Sequence, residues 1–252
     1  MSGIKAVTFD LWDTIVHDDS DEPKRRELGL RTKRDERRHL LWKVLNDIET
    51  IDYEAVSLAC DVADAGFNVA WKEDSINWRL EQRIRVVLNG LGRKLPQEIL
   101  DAVVERTGAM EVEVPPDSIE GIAEALAELS ERYRLAIVSD AIVTPGTGLR
   151  DLLARHGLKH YFQGFAFSDE VGRSKPHRAM FESAATQLGV ELDEIVHIGD
   201  RDHNDVKGPH AIGAKAVLFT ATRDADKATT TADAICEHHR DLPAIIDRLA
   251  SA

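Results

Sequence analysis

Five side chains, scattered along 252 residues, share a placement that can do chemistry: each lies at or just past the end of a short apolar run. Asp10 follows Ile4–Phe9, Ser139 follows Leu135–Val138, and Lys175 lies downstream of Gly164–Phe167. Asp200 follows Ile195–Gly199, with Asp205 close behind. In a parallel sheet such ends fall on one edge, where open α/β folds bind ligands. Carboxylates without His or Cys beside them suit a hard divalent cation such as Mg²⁺. A lysine and a serine hydroxyl nearby can hold the oxygens of an anionic group that the cation also touches. A carboxylate facing a bound phosphoryl group is a candidate nucleophile. The partner implied is a small anionic substrate.

The elements that must position these residues come in two textures. After Thr14 a polar loop, His17 to Pro23, leads into helical periodicity from Thr32 to about Arg106. Leu40, Leu41, Val44, Leu45 and Ile48 share one face. Asp52 is placed to cap a helix carrying Val56, Ala59, Val62 and Ala63. A third helix is expected to carry Ile76, Leu80, Ile84, Val87 and Leu88, stopping near Gly90 and Gly92. A fourth begins at Pro96. From Pro115 onward strands and helices alternate. Helices are predicted over 119–130, 149–156, 177–188 and 206–212, and strands over 135–138, 164–167, 195–198 and 216–219. Such alternation means a parallel sheet with right-handed crossovers. The expected fold is α/β, a Rossmann-like parallel-sheet core formed by 1–16 and 112–252, with an all-helical insertion over 17–111.

Hydrophobic residues make up 43% of the chain, enough for a real core, and the formal net charge is -13. Nucleic-acid binding needs clustered cations, so this balance argues against it. No apolar run approaches the roughly 20 residues needed to span a bilayer. Cys60 and Cys236 stand far apart in no metal-ligand spacing, which points to a reducing compartment. With Met1-Ser2-Gly3 running straight into the first strand, a cytoplasmic location is expected. No apolar surface stripe marks an oligomer contact, so oligomeric state stays open. Against the acidic background, Lys24 to Arg38 holds eight of the 32 basic residues, Arg34 among them. That segment reads either as an arm that draws in an anionic substrate or as a solvated helix face offset by Glu27, Asp35 and Glu36.

Taken together, the motifs resemble those of haloacid dehalogenase-superfamily hydrolases with a helical cap. Phe9-Asp10-Leu11-Trp12-Asp13-Thr14 is similar to the first motif, Ser139 to the second and Lys175-Pro176 to the third. Gly199-Asp200 through Asn204-Asp205-Val206 is similar to the fourth. The resemblance implies that Asp10 is the nucleophile and that Ser139 and Lys175 bind the transferred group. It also implies that Asp10, the carbonyl of Trp12 and Asp200 ligate Mg²⁺, with Asp205 one water further out or holding Lys175. The 17–111 insertion would be the cap domain.

One departure stands out. Phosphatases of the superfamily usually carry a general-acid Asp two residues after the nucleophile, where this chain has Trp12. General acid–base help is worth roughly 10²–10⁴ in rate, so poor leaving groups should react slowly. Asp13, one residue late, is a candidate substitute, and the Trp12 ring a candidate wall. Asp140, where relatives often have Asn, can either contact substrate or cap a loop. Trp42, Trp71 and Trp78 read as cap interior. A phosphatase acting on phosphorylated or acyl-phosphate substrates is the leading expectation. Cleavage of a carbon–halogen or carbon–phosphorus bond, or a catalytically silent ligand-binding relative, are the alternatives. A receiver-type signalling module lacks both the helical insertion and the late acidic motif.

Overall fold

Six short strands form one parallel sheet in the computed structural model, which describes residues 3–251. They are β1 (Ala6–Phe9), β2 (Arg134–Ser139), β3 (Gly164–Phe167), β4 (Ile195–Gly199), β5 (Lys215–Phe219) and β6 (Ala234–Cys236). Their order is β3-β2-β1-β4-β5-β6. The winding reverses between β1 and β4, which makes the edge beyond β1 the ligand crevice of such a sheet. Phe9 is in register with Ile137 on one side and Ile198 on the other. Asp10 is therefore the first residue past the ladder, still anchored by its N–H to the Ile198 carbonyl at 2.8 Å.

Both faces of β1 are covered, which is why its four residues are all buried. The helices are α1 (Asp21–Glu27), α2 (Lys33–Ile48), α3 (Tyr53–Asp74), α4 (Leu80–Gly90), α5 (Gln97–Gly108), α6 (Met110–Glu113) and α7 (Ile122–Ser130). After β2 come α8 (Gly146–Arg155), α9 (Ser168–Val171), α10 (Arg178–Leu188), α11 (Gly208–His210) and α12 (Leu242–Ser251). Val7 and Phe9 pack with Leu126 and Leu129 of α7, Leu152 of α8 and Ile246 of α12. Ala6 turns the other way, toward Met180, Phe181 and Ala184 of α10. Between β1 and β2, helices α2 to α5 close around a core of their own, built on Leu41, Leu45, Val56, Ile84, Leu88 and Leu100. Each such side chain contributes roughly 1.5–3 kcal/mol on burial.

Several boundaries differ from the sequence expectation for local reasons. Asp52 precedes α3 but makes no side-chain cap bond. Ser75, in a left-handed conformation with φ 52°, ends that helix, and Ile76 pairs with Arg173 outside any helix. Pro96 sits one residue before the helix it was expected to open. The helix expected over 206–212 is instead a π-helical turn, Asp202–Lys207, followed by α11. Turns of this kind are rare and recur at functional sites, and this one contains Asp205. Strand β6 carries too little apolar pattern to be read from sequence. No helix among the described residues is long and apolar enough to cross a membrane.

The C-terminal segment is stitched to the loop after β1 by His239. Its ring stacks on Phe219 with centroids 4.2 Å apart, and Nε2–H donates to the Thr14 carbonyl at 2.7 Å. Burial pushes this imidazole down to about 4 from its ordinary 6.5. The fold selects the neutral ring, so its stabilisation is complete above pH 6.5 and is lost as pH falls through 4. Urea unfolding should show His239→Gln and the wild type converging between pH 6.5 and 4, by up to about 3 kcal/mol. A constant gap across that range would remove His239 as the cause.

Candidate active site

Lys175 lies at the centre of the crevice, almost wholly buried. Its Nζ stands 2.7 Å from Asp10 Oδ1 and 2.6 Å from Asp205 Oδ1. Burial works against the ammonium, but the charges of Asp10, Asp205 and Asp140 outweigh it and hold its pKa above the usual lysine range. Asp205 is fixed from several sides. His197, inside β4, approaches Asp205 Oδ1 through Nε2 at 3.1 Å, and its Nδ1 meets Thr8 Oγ1 at 2.8 Å. Burial keeps this imidazole below its ordinary pKa. A neutral ring then donates Nε2–H to the carboxylate and accepts the Thr8 hydroxyl. Asp205 Oδ2 accepts the Arg201 N–H at 3.0 Å. Burial resists the charge on Asp205, yet Lys175 and His197 overcome it and hold the carboxyl below the usual range. Gly199 allows this approach, since a Cβ there would lie 2.2 Å from Asp205 Cγ.

Asp200 is the opposite case. Both its oxygens are buried and neither has a hydrogen-bond partner among the described residues. Burial, then the charges of Asp10 and Asp205, push its carboxyl up to about 7. One oxygen from each of Asp10, Asp200 and Asp205 can be chosen so that all lie within 4.8 Å of one another. Three carboxylates against Lys175, with Arg201 reaching Asp200 only at 3.7 Å, crowd negative charge at a spacing where each pair repels by roughly 4 kcal/mol at an effective dielectric of 20. The donors are all hard oxygens, and the bare pair on Asp200 is what an Mg²⁺ ion would complete. Ser139 ends β2 fully buried, its Oγ also unpartnered.

Above this edge lies a cavity of about 270 Å³. Asp10, Trp12, Asp140 and Lys175 line it from the sheet side, and Lys33, Arg37, Trp71 and Glu111 from the helical block. Trp71 is not interior packing, as expected from its spacing. It lines the cavity and donates Nε1–H to Asp140 Oδ2 at 3.0 Å. Asp140 Oδ1 accepts the Lys175 N–H, also at 3.0 Å. Asp140 thus spends both oxygens holding neighbours, and it ties α3 to the lysine. Arg83 on α4 donates to the Ile142 carbonyl at 2.8 Å, a second tie to the same loop.

Two expected site residues lie elsewhere. Asp13 adopts a left-handed conformation, φ 55°, and Oδ1 accepts the Asp18 N–H at 3.1 Å. It shapes the loop and does not line the cavity, so it does not supply the missing acid. Arg34 is 68% exposed and pairs with Asp61 at 2.7 Å. Its segment is largely neutralised, mostly by acids from elsewhere in the chain: Lys24 pairs with Asp117, Arg31 with Glu36 and Arg38 with Asp61. Lys33 is committed to Asp19, Asp21 and Glu111 at 3.0, 2.8 and 3.2 Å, one carboxylate for each of its three hydrogens. His197, Thr8 and Arg201 were not picked out from the sequence. A histidine and a threonine inside otherwise apolar strands were the available signal.

The model of the haloacid dehalogenase-like hydrolase family matches residues 4–213. The chain belongs to that family. A glyceraldehyde 3-phosphate phosphatase from Methanopyrus kandleri is 31% identical over 103 residues, 40% of this chain and 44% of that one. The chain spans less than half the length of the curated relatives it matches. Among solved structures, a 2-haloacid dehalogenase from Pseudomonas syringae superposes with TM-score 0.68 at 19% identity, covering 97% of this chain and 99% of that one. A phosphatase of the family from Thermococcus onnurineus gives 0.64 at 22%, with 96% and 98% covered. At these identities the likeness is one of fold, shared by both chemistries.

For this family member, replacing Lys175 by Met leaves Asp10 and Asp205 buried without their cation. In chelator, urea unfolding at pH 7 should show a loss of about 3–5 kcal/mol. That deficit should shrink toward pH 5 as the unpaired carboxylates take up protons. A variant as stable as the wild type would mean that the ammonium is not what holds the two carboxylates together.

Proposed function

We propose that this protein is an Mg²⁺-dependent phosphatase whose nucleophile is Asp10. The observation that supports it best is the pairing of a lysine-held Asp10 with an Asp200 carboxylate left bare beside it. In this reading Asp10 attacks phosphorus in line, the bond from phosphorus to the leaving oxygen breaks, and an aspartyl-phosphate forms. Water then attacks that phosphorus and releases phosphate and the free carboxylate. Lys175 and the Ser139 hydroxyl hold the transferred oxygens and their developing charge. Asp205, with both oxygens engaged, orients Lys175. Asp10, Asp200 and the carbonyl of Trp12 would hold Mg²⁺, which would neutralise phosphoryl oxygens when bound. The helical block, residues 17–111, serves as the cap that excludes water from the 270 Å³ cavity.

Trp12 sets the limit on the chemistry. With Asp13 turned away, no acid stands two residues from the nucleophile, so the leaving group must depart unprotonated. Aryl and acyl phosphates meet that condition. A halide does too, so Trp12 alone suits carbon–halogen cleavage equally well, and the unpartnered Asp200 favours phosphorus. Phosphonate cleavage through a Schiff base on Lys33, the cap lysine that lines the cavity over Asp10, is disfavoured. Burial opposes the charge on Lys33, but Glu111, Asp21 and Asp19 more than offset it and keep the ammonium protonated.

Inorganic phosphate should be released from phenyl phosphate and acetyl phosphate with Mg²⁺ and not with EDTA, and Asp10→Asn should abolish it. Halide release from short 2-haloacids, without phosphate release, would replace this reading by the dehalogenase one. Trp12→Asp should raise turnover of alkyl phosphates by roughly 10²-fold or more. If that variant folds and binds Mg²⁺ but gains nothing, the missing acid is not what limits the enzyme.

A further inference from the structure

Next to the cavity over Asp10 is a second hollow of about 430 Å³. Lys72 of α3 lines it from the helical block, and Arg201, Lys207 and Arg223 line it from the sheet side. Trp71, Lys175, Arg201 and Asn204 border both spaces, so the two adjoin across the lysine that holds Asp10. Each is near the lower end of the roughly 300–1,000 Å³ typical of small-molecule sites.

The two hollows carry opposite electrostatics. In the first, the ammonium of Lys33 is consumed by Asp19, Asp21 and Glu111, and Asp18 adds further negative charge to the wall. The second is lined by Lys175, already committed to Asp10 and Asp205, and by four further cationic side chains, together with Asp202 and Asp226. Those two carboxylates are occupied with internal bonds. Asp226 Oδ2 accepts from Arg223 at 2.5 Å and from the Asp202 N–H at 3.2 Å. Asp202 accepts from the Thr230 hydroxyl at 2.6 Å and pairs with Lys207 at 2.9 Å. Lys72 has no ion pair or side-chain hydrogen bond among the described residues. Arg201 reaches Asp200 only at 3.7 Å, beyond hydrogen-bond length. In a chain of net charge -13, Lys72 without a partner among the described residues and Arg201 with only the distant Asp200 are the least compensated cations here, beside the nucleophile.

We propose that this hollow receives a second anionic group of the substrate, so that the enzyme acts on phosphoesters bearing a carboxylate or another phosphate at the far end. The proposal rests on the phosphatase reading for the first group and adds the class of molecule attached to it. Lys72 from the cap and Arg201 from the sheet edge would clasp the second anion with charge-assisted hydrogen bonds. Because they come from opposite sides of the crevice, the bound molecule would also hold the cap against the sheet.

Three matched probes test it: phenyl phosphate, 4-carboxyphenyl phosphate and 1,4-phenylene bisphosphate. Titrated calorimetrically into Asp10→Asn protein with Mg²⁺, the two doubly functional probes should bind more tightly than phenyl phosphate. Adding Lys72→Glu should shrink that preference by roughly five- to tenfold, the size expected of one partly exposed charge-assisted contact. Arg201→Gln should shrink it too, and 0.5 M NaCl should narrow it. Comparison of the carboxylate and phosphate arms tells which second anion is preferred. Equal binding of all three probes, or a preference untouched by both variants, overturns the proposal. Turnover by the wild type separates the two claims. Phosphate release without any preference removes the second anion site alone. A preference lost with Lys72→Glu but no phosphate release removes the phosphatase reading alone.

Discussion

One buried ammonium holds the crevice together. Lys175 is surrounded by Asp10, Asp205 and the backbone-bound Asp140, and without it three acids would face each other out of water. The cost of burying such charges is several kcal/mol per ion, and it is offset only because every partner is itself positioned. Thr8 orients His197, His197 and Arg201 orient Asp205, and Gly199 leaves room for that carboxylate to approach. The lysine balances only part of the negative charge. What it leaves is a buried acidic cluster in which Asp200 has no hydrogen-bond partner among the described residues.

The same lysine is connected to the helical block. Asp140 takes the Lys175 N–H on one oxygen and the Trp71 indole on the other. Burial pushes the Asp140 carboxyl up to about 6, and both hydrogen bonds and the nearby ammonium work to keep it ionised. The contact between the block and the sheet edge therefore includes polar, directional ties at Asp140 and Ile142. Small changes in how the helices sit are felt at the backbone of the residue gripping Asp10.

Much of this was legible from the chain alone because strand ends are local features. The runs ending at Phe9, Ser139 and Gly199 announce themselves by composition, and parallel register then brings Asp10, Ser139 and Asp200 to one edge. Asp205 follows the Gly199 end within a few residues, and Lys175 comes after β3 and the short helix α9. The parts that were not legible depend on contacts distant in sequence. Trp71 has the spacing of an interior residue, and only the docking of α3 shows its indole meeting Asp140. Asp13 looked able to replace the absent acid until its left-handed backbone turned it toward Asp18. The basic run from Lys24 to Arg38 read either as an arm for anions or as a solvated helix face offset by nearby acids. Its partners, Asp61, Glu111 and Asp117, come from far along the chain and could not be counted beforehand. The π-helical turn after β4 has no signature in hydrophobic spacing.

β1 and β2 are hydrogen-bonded neighbours, Ala6 beside Arg134, although the whole helical block lies between them in the chain. The sheet closes in regular register across the insertion, and the block bears on the reactive edge through side-chain contacts such as Trp71 with Asp140. This makes the insertion an interchangeable part. A lineage could trade one set of helices for another and meet new metabolites while the bond-breaking end stayed untouched, provided each replacement still brought a donor to Asp140.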